Sequence, residues 1–168
     1  MTQVSSLNAL NLKNAWLAIG VFDGVHRGHQ QMLQLLVNGA HTESVPAVVL
    51  TFAPHPAVVL GKQADFKWLS PPDERNKLLM SQGVDFIILQ HFDSDFATIS
   101  ARDFMQDLSH QLGLRRLFVG QDFALGHNRQ GNVTFLAEVG KELGYSIQLI
   151  DPVSDQNGVI SSTRIRKY

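Results

Sequence analysis

Five short, almost continuously apolar runs, each separated from the next by a stretch with helical spacing, constrain this chain more than any other feature. The runs are Ala15–Ile19, Ala47–Phe52, Phe86–Leu89, Leu117–Gly120 and Ile147–Ile150. A strand that is apolar on both faces has to be covered on both, as in a parallel sheet held between helices. The last run, read from Tyr145, carries Ser146 and Gln148 in alternation and belongs nearer an edge.

Between the runs lie helical segments with start signals. In His29–Val37, the residues Met32, Leu35 and Leu36 share a face. Ser70 reads as an N-cap with Pro71 at the first helical position, and Gly83 as the stop. Ser100 repeats such a start ahead of Phe104, Met105, Leu108 and Leu112, and Asn132 caps a further helix with Val133, Leu136, Ala137 and Leu143 inward. Strand–helix alternation over the whole length implies right-handed crossovers. The expectation is one α/β domain over residues 1–168. It would be a Rossmann-like open parallel sheet of about five strands with helices on both faces.

Composition narrows the function classes. Hydrophobic residues are 44% of the 168, enough for a core. The 14 basic and 15 acidic residues give a net charge of −1, which argues against a protein that grips a nucleic-acid backbone. With no cysteine, disulfides, thiolate metal sites and cysteine nucleophiles are excluded. No apolar run approaches the ~18 residues of a membrane helix. The first residues, MTQVSSLNALNLKN, lack the features of a signal peptide. A cytoplasmic protein without membrane or nucleic-acid partners is expected.

Ligands of open parallel sheets sit outside the C-terminal strand ends, where the winding reverses. The loops 21–28, 53–65, 121–131 and 154–163 are the candidates there. The first holds the strongest signal, Gly20-Val21-Phe22-Asp23-Gly24-Val25-His26-Arg27-Gly28-His29. Gly20, Gly24 and Gly28 permit a tight turn and close approach to a ligand, and the run opens into a helix whose free N–H groups attract anions. His26 and His29 at that start can donate to phosphate oxygens. A metal site through this pair is disfavoured, because the spacing is not that of the zinc-protease helix and no Glu lies between them. The glycine spacing does not match the dinucleotide fingerprint either. A plain glycine-rich turn with incidental histidines is disfavoured as much as the metal site. Near the end, Ser161, Ser162 and Thr163 offer hydroxyls at another helix start, and Arg164, Arg166 and Lys167 cluster three cations suited to a polyphosphate. Taken alone, that block reads more readily as a capped C-terminal helix with a basic tail. His41, His91, His110 and His127 form no constellation and read as surface or loop residues, while Trp16 and Trp68 read as packing.

The pattern G-x-F-D-G-x-H-x-G-H resembles the FAD synthetase module of bacterial bifunctional riboflavin kinase/FMN adenylyltransferases, within the HxGH nucleotidylyltransferases. Three more blocks follow in the family's order: Thr51-Phe52-Ala53-Pro54-His55-Pro56; Val119–Gly126 with Arg129-Gln130-Gly131; and Ile160-Ser161-Ser162-Thr163-Arg164-Ile165-Arg166. One position departs, Leu125 standing where the family usually has Phe. The resemblance implies ATP and FMN as substrates, Mg²⁺ as cofactor, and FAD with pyrophosphate as products. It implies His26, His29 and Arg166 as catalytic groups. Gly20, Phe22, Asp23, Gly24, Gly28, Ser162, Thr163 and Arg164 would fall on the ATP side, and Pro54, His55, Pro56, Asp122 and Phe123 around the flavin. Asp122, past a strand end, is suited to holding Mg²⁺ through water or taking a flavin hydrogen bond, and Asp23 equally to orienting backbone amides. No protein ligand of the metal is assigned. A riboflavin kinase domain would follow in a parent protein, since no G-x-P-T-A-N-like stretch occurs here. The alternatives are a binding module inactive without that domain and an HxGH transferase with another acceptor.

Overall fold

The structure, a computed structural model, describes residues 2–4, 6–62 and 66–167. In chain order it runs β1 (Thr2–Val4), β2 (Trp16–Ile19), α1 (Arg27–Thr42), β3 (Ala47–Ala53), α2 (Pro56–Val59), α3 (Pro72–Ser81), β4 (Phe86–His91), α4 (Ala101–Leu112) and β5 (Arg116–Gly120). A small hairpin follows, β6 (Ala124–Leu125) with β7 (Gly131–Asn132), then α5 (Val133–Leu143) and β8 (Ser146–Ile150). A second hairpin, β9 (Ser154–Asp155) with β10 (Gly158–Val159), leads into the single-turn α6 (Ser162–Ile165).

Among the described residues, six strands form one parallel sheet in the order β1-β4-β3-β2-β5-β8. The chain winds outward from β2 through β3 to β4, crosses to β5 on the other side of β2, and ends at the edge with β8. The reversal therefore lies between β2 and β5, and the ligand site is expected at their C-terminal ends.

Alternate strand residues feed opposite faces. Leu17, Ile19, Val48, Leu50, Leu117 and Val119 join one apolar cluster with Met105, Leu108 and Leu112 of α4 and Leu136 and Val139 of α5. Trp16, Ala18, Ala47, Val49 and Phe118 join the other with Met32, Leu33, Leu36, Val37 and Ala40 of α1 and Leu79 of α3. Each fully buried Leu or Val side chain contributes about 1.5–3 kcal/mol. The helices on both faces are as expected.

Three expectations need correcting. A sixth strand, β1, pairs with β4 at the sheet edge. It is three residues long, with Thr2 and Gln3 exposed, so it has no periodicity to read. On α1 the inward residue is Leu33, while Leu35 is 48% exposed, because the helix buries the 32, 33, 36, 37, 40 stripe. The cap of α3 is Pro71, without a side-chain bond. Ser70 instead accepts from Gly24 N–H at 3.0 Å, bridging to the loop after β2. The caps at Ser100 and Asn132 are found as expected, accepting from the Asp103 and Phe135 N–H groups.

Candidate active site

The β2–β3 ladder ends at Ile19 and Leu50, with a last bond from Gly20 N–H to the Leu50 carbonyl. The chain then turns sharply, with Phe22, Gly24 and Val25 at φ of 55°, 80° and 42°. Left-handed geometry is costly for Phe and Val, and it persists because both side chains are buried, 1% and 2% exposed. The turn delivers His26 as the N-cap of α1. Its Nδ1 accepts from the N–H groups of Gly28 (3.1 Å) and His29 (3.4 Å), which leaves the proton on Nε2. The His29 ring stacks on it at 3.6 Å and meets the Phe22 edge-on at 5.0 Å. His29 Nδ1 is buried without a protein partner. Burial lowers the His26 pKa, and burial together with His26 lowers that of His29 to about 3. Both rings are therefore neutral at pH 7, each keeping one N–H to donate.

The C-terminal segment closes on this loop. Asp23, 2% exposed, accepts from Leu69 N–H at 2.9 and 3.1 Å, from Ser70 N–H at 3.1 Å and from the Arg166 guanidinium. Ser162 Oγ donates to the Asp23 carbonyl at 2.8 Å, and Ser161 caps α6. Arg166 also donates to the Lys67 carbonyl and lies over the Phe66 ring at 4.7 Å. So the histidine loop, the 66–70 strand of chain and α6 converge. Thr163 is exposed on the first turn of α6. Arg164 points elsewhere, to Asp155 at 2.7 Å and to the carbonyls of Gly158 and Val159.

Beside this loop lies a cavity of about 680 Å³ walled by α2, by the turn after β4 and by the loop after β5. Gly20 and Val21 are part of its lining, as is Phe52. Phe52, Phe92, Phe96 and Phe104 interlock largely edge-on, with successive centroids 5.3–5.8 Å apart. All four line the cavity. Pro56, Asp122 and Phe123 also line it, and so does Leu125, the one position that departs from the resembled pattern. Lys62 and Arg129 give it a cationic rim, with His127 beside them. Pro54 and His55 are not in its wall. His55 Nδ1 caps α2 through Ala57 N–H at 3.0 Å, and its ring packs on Phe66 (4.2 Å) and Trp68 (5.2 Å). Burial and then the Arg166 charge hold its pKa at about 4. Residues 63–65 of the expected 53–65 loop lie outside the described residues.

Several site residues escape sequence reasoning. Phe92 and Phe96 belong to none of the motifs or periodic runs of the sequence. Arg75, with no exposed surface, occupies an inward position of α3 four residues before buried Leu79, and that apolar spacing was the only signal. Trp68 does pack, but against His55 and Arg75.

Among the described residues, no group of three or more His, Asp or Glu is arranged to hold a metal ion. The carboxylate nearest the histidine loop, Asp23, is occupied by three N–H bonds and Arg166. A protein-held Mg²⁺ does not fit this loop.

Residues 9–164 match the FAD synthetase family. Similar proteins include the bifunctional riboflavin kinase/FMN adenylyltransferase of Escherichia coli (strain K12), 34% identical over 152 residues, which are 90% of this chain and 49% of the relative. The protein of the same name from Buchnera aphidicola subsp. Schizaphis graminum is 31% identical over 166 residues, 98% of this chain and 53% of the relative. The chain thus spans about half the length of these relatives. A solved structure titled as a macrolide-efflux protein from Streptococcus pneumoniae superposes with a TM-score of 0.81 at 27% identity, over 99% of this chain and 56% of that one. Among the described residues, no helix is long and apolar enough to cross a membrane.

Proposed function

The chain belongs to the FAD synthetase family, and from that premise we propose that it is an FMN adenylyltransferase, joining ATP and FMN into FAD and releasing pyrophosphate. The terminal phosphate of FMN is an anion at neutral pH and needs no general base. A bond forms from its oxygen to the α-phosphorus of ATP, the bond from that phosphorus to the bridging oxygen breaks, and pyrophosphate leaves with the electron pair. Rate then comes from alignment and from stabilising the charge that shifts onto the phosphate oxygens.

In this reading the neutral His26 and His29 donate N–H bonds to the α- and β-phosphates. His26 is aimed by the cap that fixes its proton on Nε2. Ser162, Thr163 and Arg166 hold the far end of the triphosphate. Gly20, Phe22, Gly24 and Gly28 shape the turn. Asp23 works at one remove, since its carboxylate is already shared between Arg166 and two backbone amides. Arg164 would have to leave Asp155 to assist. Pro56, Asp122 and Phe123 border the flavin ring, with Pro54 and His55 supporting α2 from behind. Mg²⁺ would enter as the counter-ion of the nucleotide.

The observation that carries the proposal is the shared floor: Gly20 and Val21 line the apolar cavity and lead directly into the histidine loop. A flat aromatic ring in the cavity and a triphosphate on the loop would meet there. The relatives' names join this activity to a riboflavin kinase, the class of reaction that would supply FMN. A kinase domain following in a parent protein, and a cytoplasmic site of action beside the ATP pool, belong to the same proposal.

The test is incubation with ATP and Mg²⁺ and, separately, FMN, phosphopantetheine or nicotinamide mononucleotide, with products separated by chromatography. FAD from FMN is expected. Product from another acceptor, or tight binding without pyrophosphate release, overturns the reading. His29→Ala should slow turnover about 10²–10³-fold, the scale of one lost transition-state donor, and a loss below about threefold in a folded variant would remove His29 from its role.

A further inference from the structure

Beyond Ile19 and Leu50, β2 and β3 part company. One strand runs on to the histidine loop and the other to the Pro54–Pro56 loop in front of α2. Arg75, reaching in from α3, stands in this fork. Its Nη1 donates to the Phe52 carbonyl at 3.0 Å and to the Val21 carbonyl at 3.3 Å. Thr51 Oγ1 adds a second grip on the Val21 carbonyl, at 2.9 Å. The Trp68 indole lies 5.2 Å from the guanidinium.

As a packing solution this is a poor one. The side chain is fully buried, and its Nε and Nη2 have no partner. Its closest electrostatic counterpart, Asp23, is bonded to Arg166 instead. A Leu or Met would fill the same volume without desolvating a charge, and such replacements are often neutral or stabilising. What an apolar residue cannot do is hold two backbone carbonyls together where the β2–β3 ladder has stopped. Both carbonyls belong to residues that line the cavity, Val21 and Phe52.

We infer that Arg75 is a positioning residue. It sets the spacing between the loop that holds the triphosphate and the wall that holds the acceptor, and so the approach of the attacking oxygen to phosphorus. The inference rests on the adenylyl-transfer reading above. Its signature follows from in-line geometry: each substrate still binds its own half of the site, but the two no longer meet well, and a misplacement on the order of 1 Å costs about 10²-fold in rate.

The experiment uses the full chain with Arg75→Lys, Arg75→Met and Thr51→Val, measuring folding by thermal melt, ATP and FMN dissociation constants separately, and FAD formation in a single turnover. For folded Arg75 variants, binding of each substrate within about threefold of wild type and transfer slowed about 10- to 100-fold are expected. Thr51→Val should show the same split, smaller. Transfer at the wild-type rate in a folded Arg75→Lys or Arg75→Met overturns the inference. So does loss of ATP or FMN binding in step with the rate, which would make Arg75 a binding group. If even Arg75→Lys does not fold, the residue is structural and the inference fails. A wild type that makes no FAD fails the adenylyl-transfer reading itself, and Arg75 with it, whereas an active wild type matched by active variants removes Arg75 alone.

Discussion

His26 spends one ring nitrogen on its own helix, and that settles how the pair of imidazoles can act. A ring whose Nδ1 accepts two backbone N–H bonds cannot be protonated there without breaking its cap. Its neighbour is kept neutral by burial down to about pH 3. For kcat/KM with ATP, neither group titrates over the range of about pH 7 to 9, so a flat profile is expected there. A rate that fell as pH rose through about 7 would reveal a protonated imidazole instead. Stability behaves differently. An unfolded histidine titrates near 6.5 and native His29 near 3. Between these values the unfolded chain binds a proton that the native chain refuses. The stability is whole above the unfolded value and drains away as pH falls through that window. His55 acts in the same direction, down to about 4. Thermal melts across this range should show the decline, less steeply in His29→Asn. The residue types behind this chemistry stand plainly in the sequence, but their directions do not. Arg164 and Arg166 are two positions apart and chemically alike, yet one pairs with Asp155 and the other with Asp23. Which side of a one-turn helix each leaves from is decided by partners more than a hundred residues away in the case of Arg166.

Helices and strands differ in how far a local pattern can announce them. The central runs of β2, β3, β4 and β5 were readable because burial on both faces leaves almost no polar position to interrupt them, and the edge strand β8 by its alternation. β1 was not, because an edge strand of three residues is held by its ladder to β4 rather than by its own composition. On α1, Leu33 and Leu35 are equally apolar, and only the docking angle against the sheet selects one of them. That docking depends on a close approach. A Cβ at Gly39 would lie 2.4 Å from Trp16 Cζ3, and the indole is itself fixed between Phe118 (5.8 Å) and the Arg116 guanidinium (4.3 Å). Two effects compete in Gly39→Ala. The helix gains about 0.5–1 kcal/mol from the lost glycine entropy, while overpacking a rigid neighbour costs about 1–3 kcal/mol. The second should win, lowering the melting temperature by about 2–8 °C for a domain of this size. A variant that melted higher would mean that Trp16 can move aside.

Segments far apart in the chain are joined at one buried carboxylate. Asp23 ties the loop after β2 to residues 69–70 and to Arg166, across 46, 47 and 143 positions of sequence. Removing one partner of a well-buried ion pair costs about 3–5 kcal/mol, and the part-exposed Arg166 brings this down to about 2–3. Asp23→Asn should therefore lower the melting temperature by about 4–12 °C, and a change under about 1 °C would show that the three segments hold without it. The general location of the site could be inferred beforehand, since a sheet that reverses its winding beside β2 gathers its loops at one end. The Phe52–Phe92–Phe96–Phe104 nest could not, because its members come from β3, from the turn after β4 and from α4, and only their meeting makes a floor. Among the described residues lining the cavity, Gly20 and Val21 are the ones that lead into the histidine loop. The walls belong to α2 and to the loops after β4 and β5, none of which carries the imidazoles. A lineage descending from this architecture can redraw those walls for a differently shaped acceptor and leave the phosphate-handling turn as inherited. On the proposed reading, partner choice and bond-making are separate modules hinged on a dipeptide.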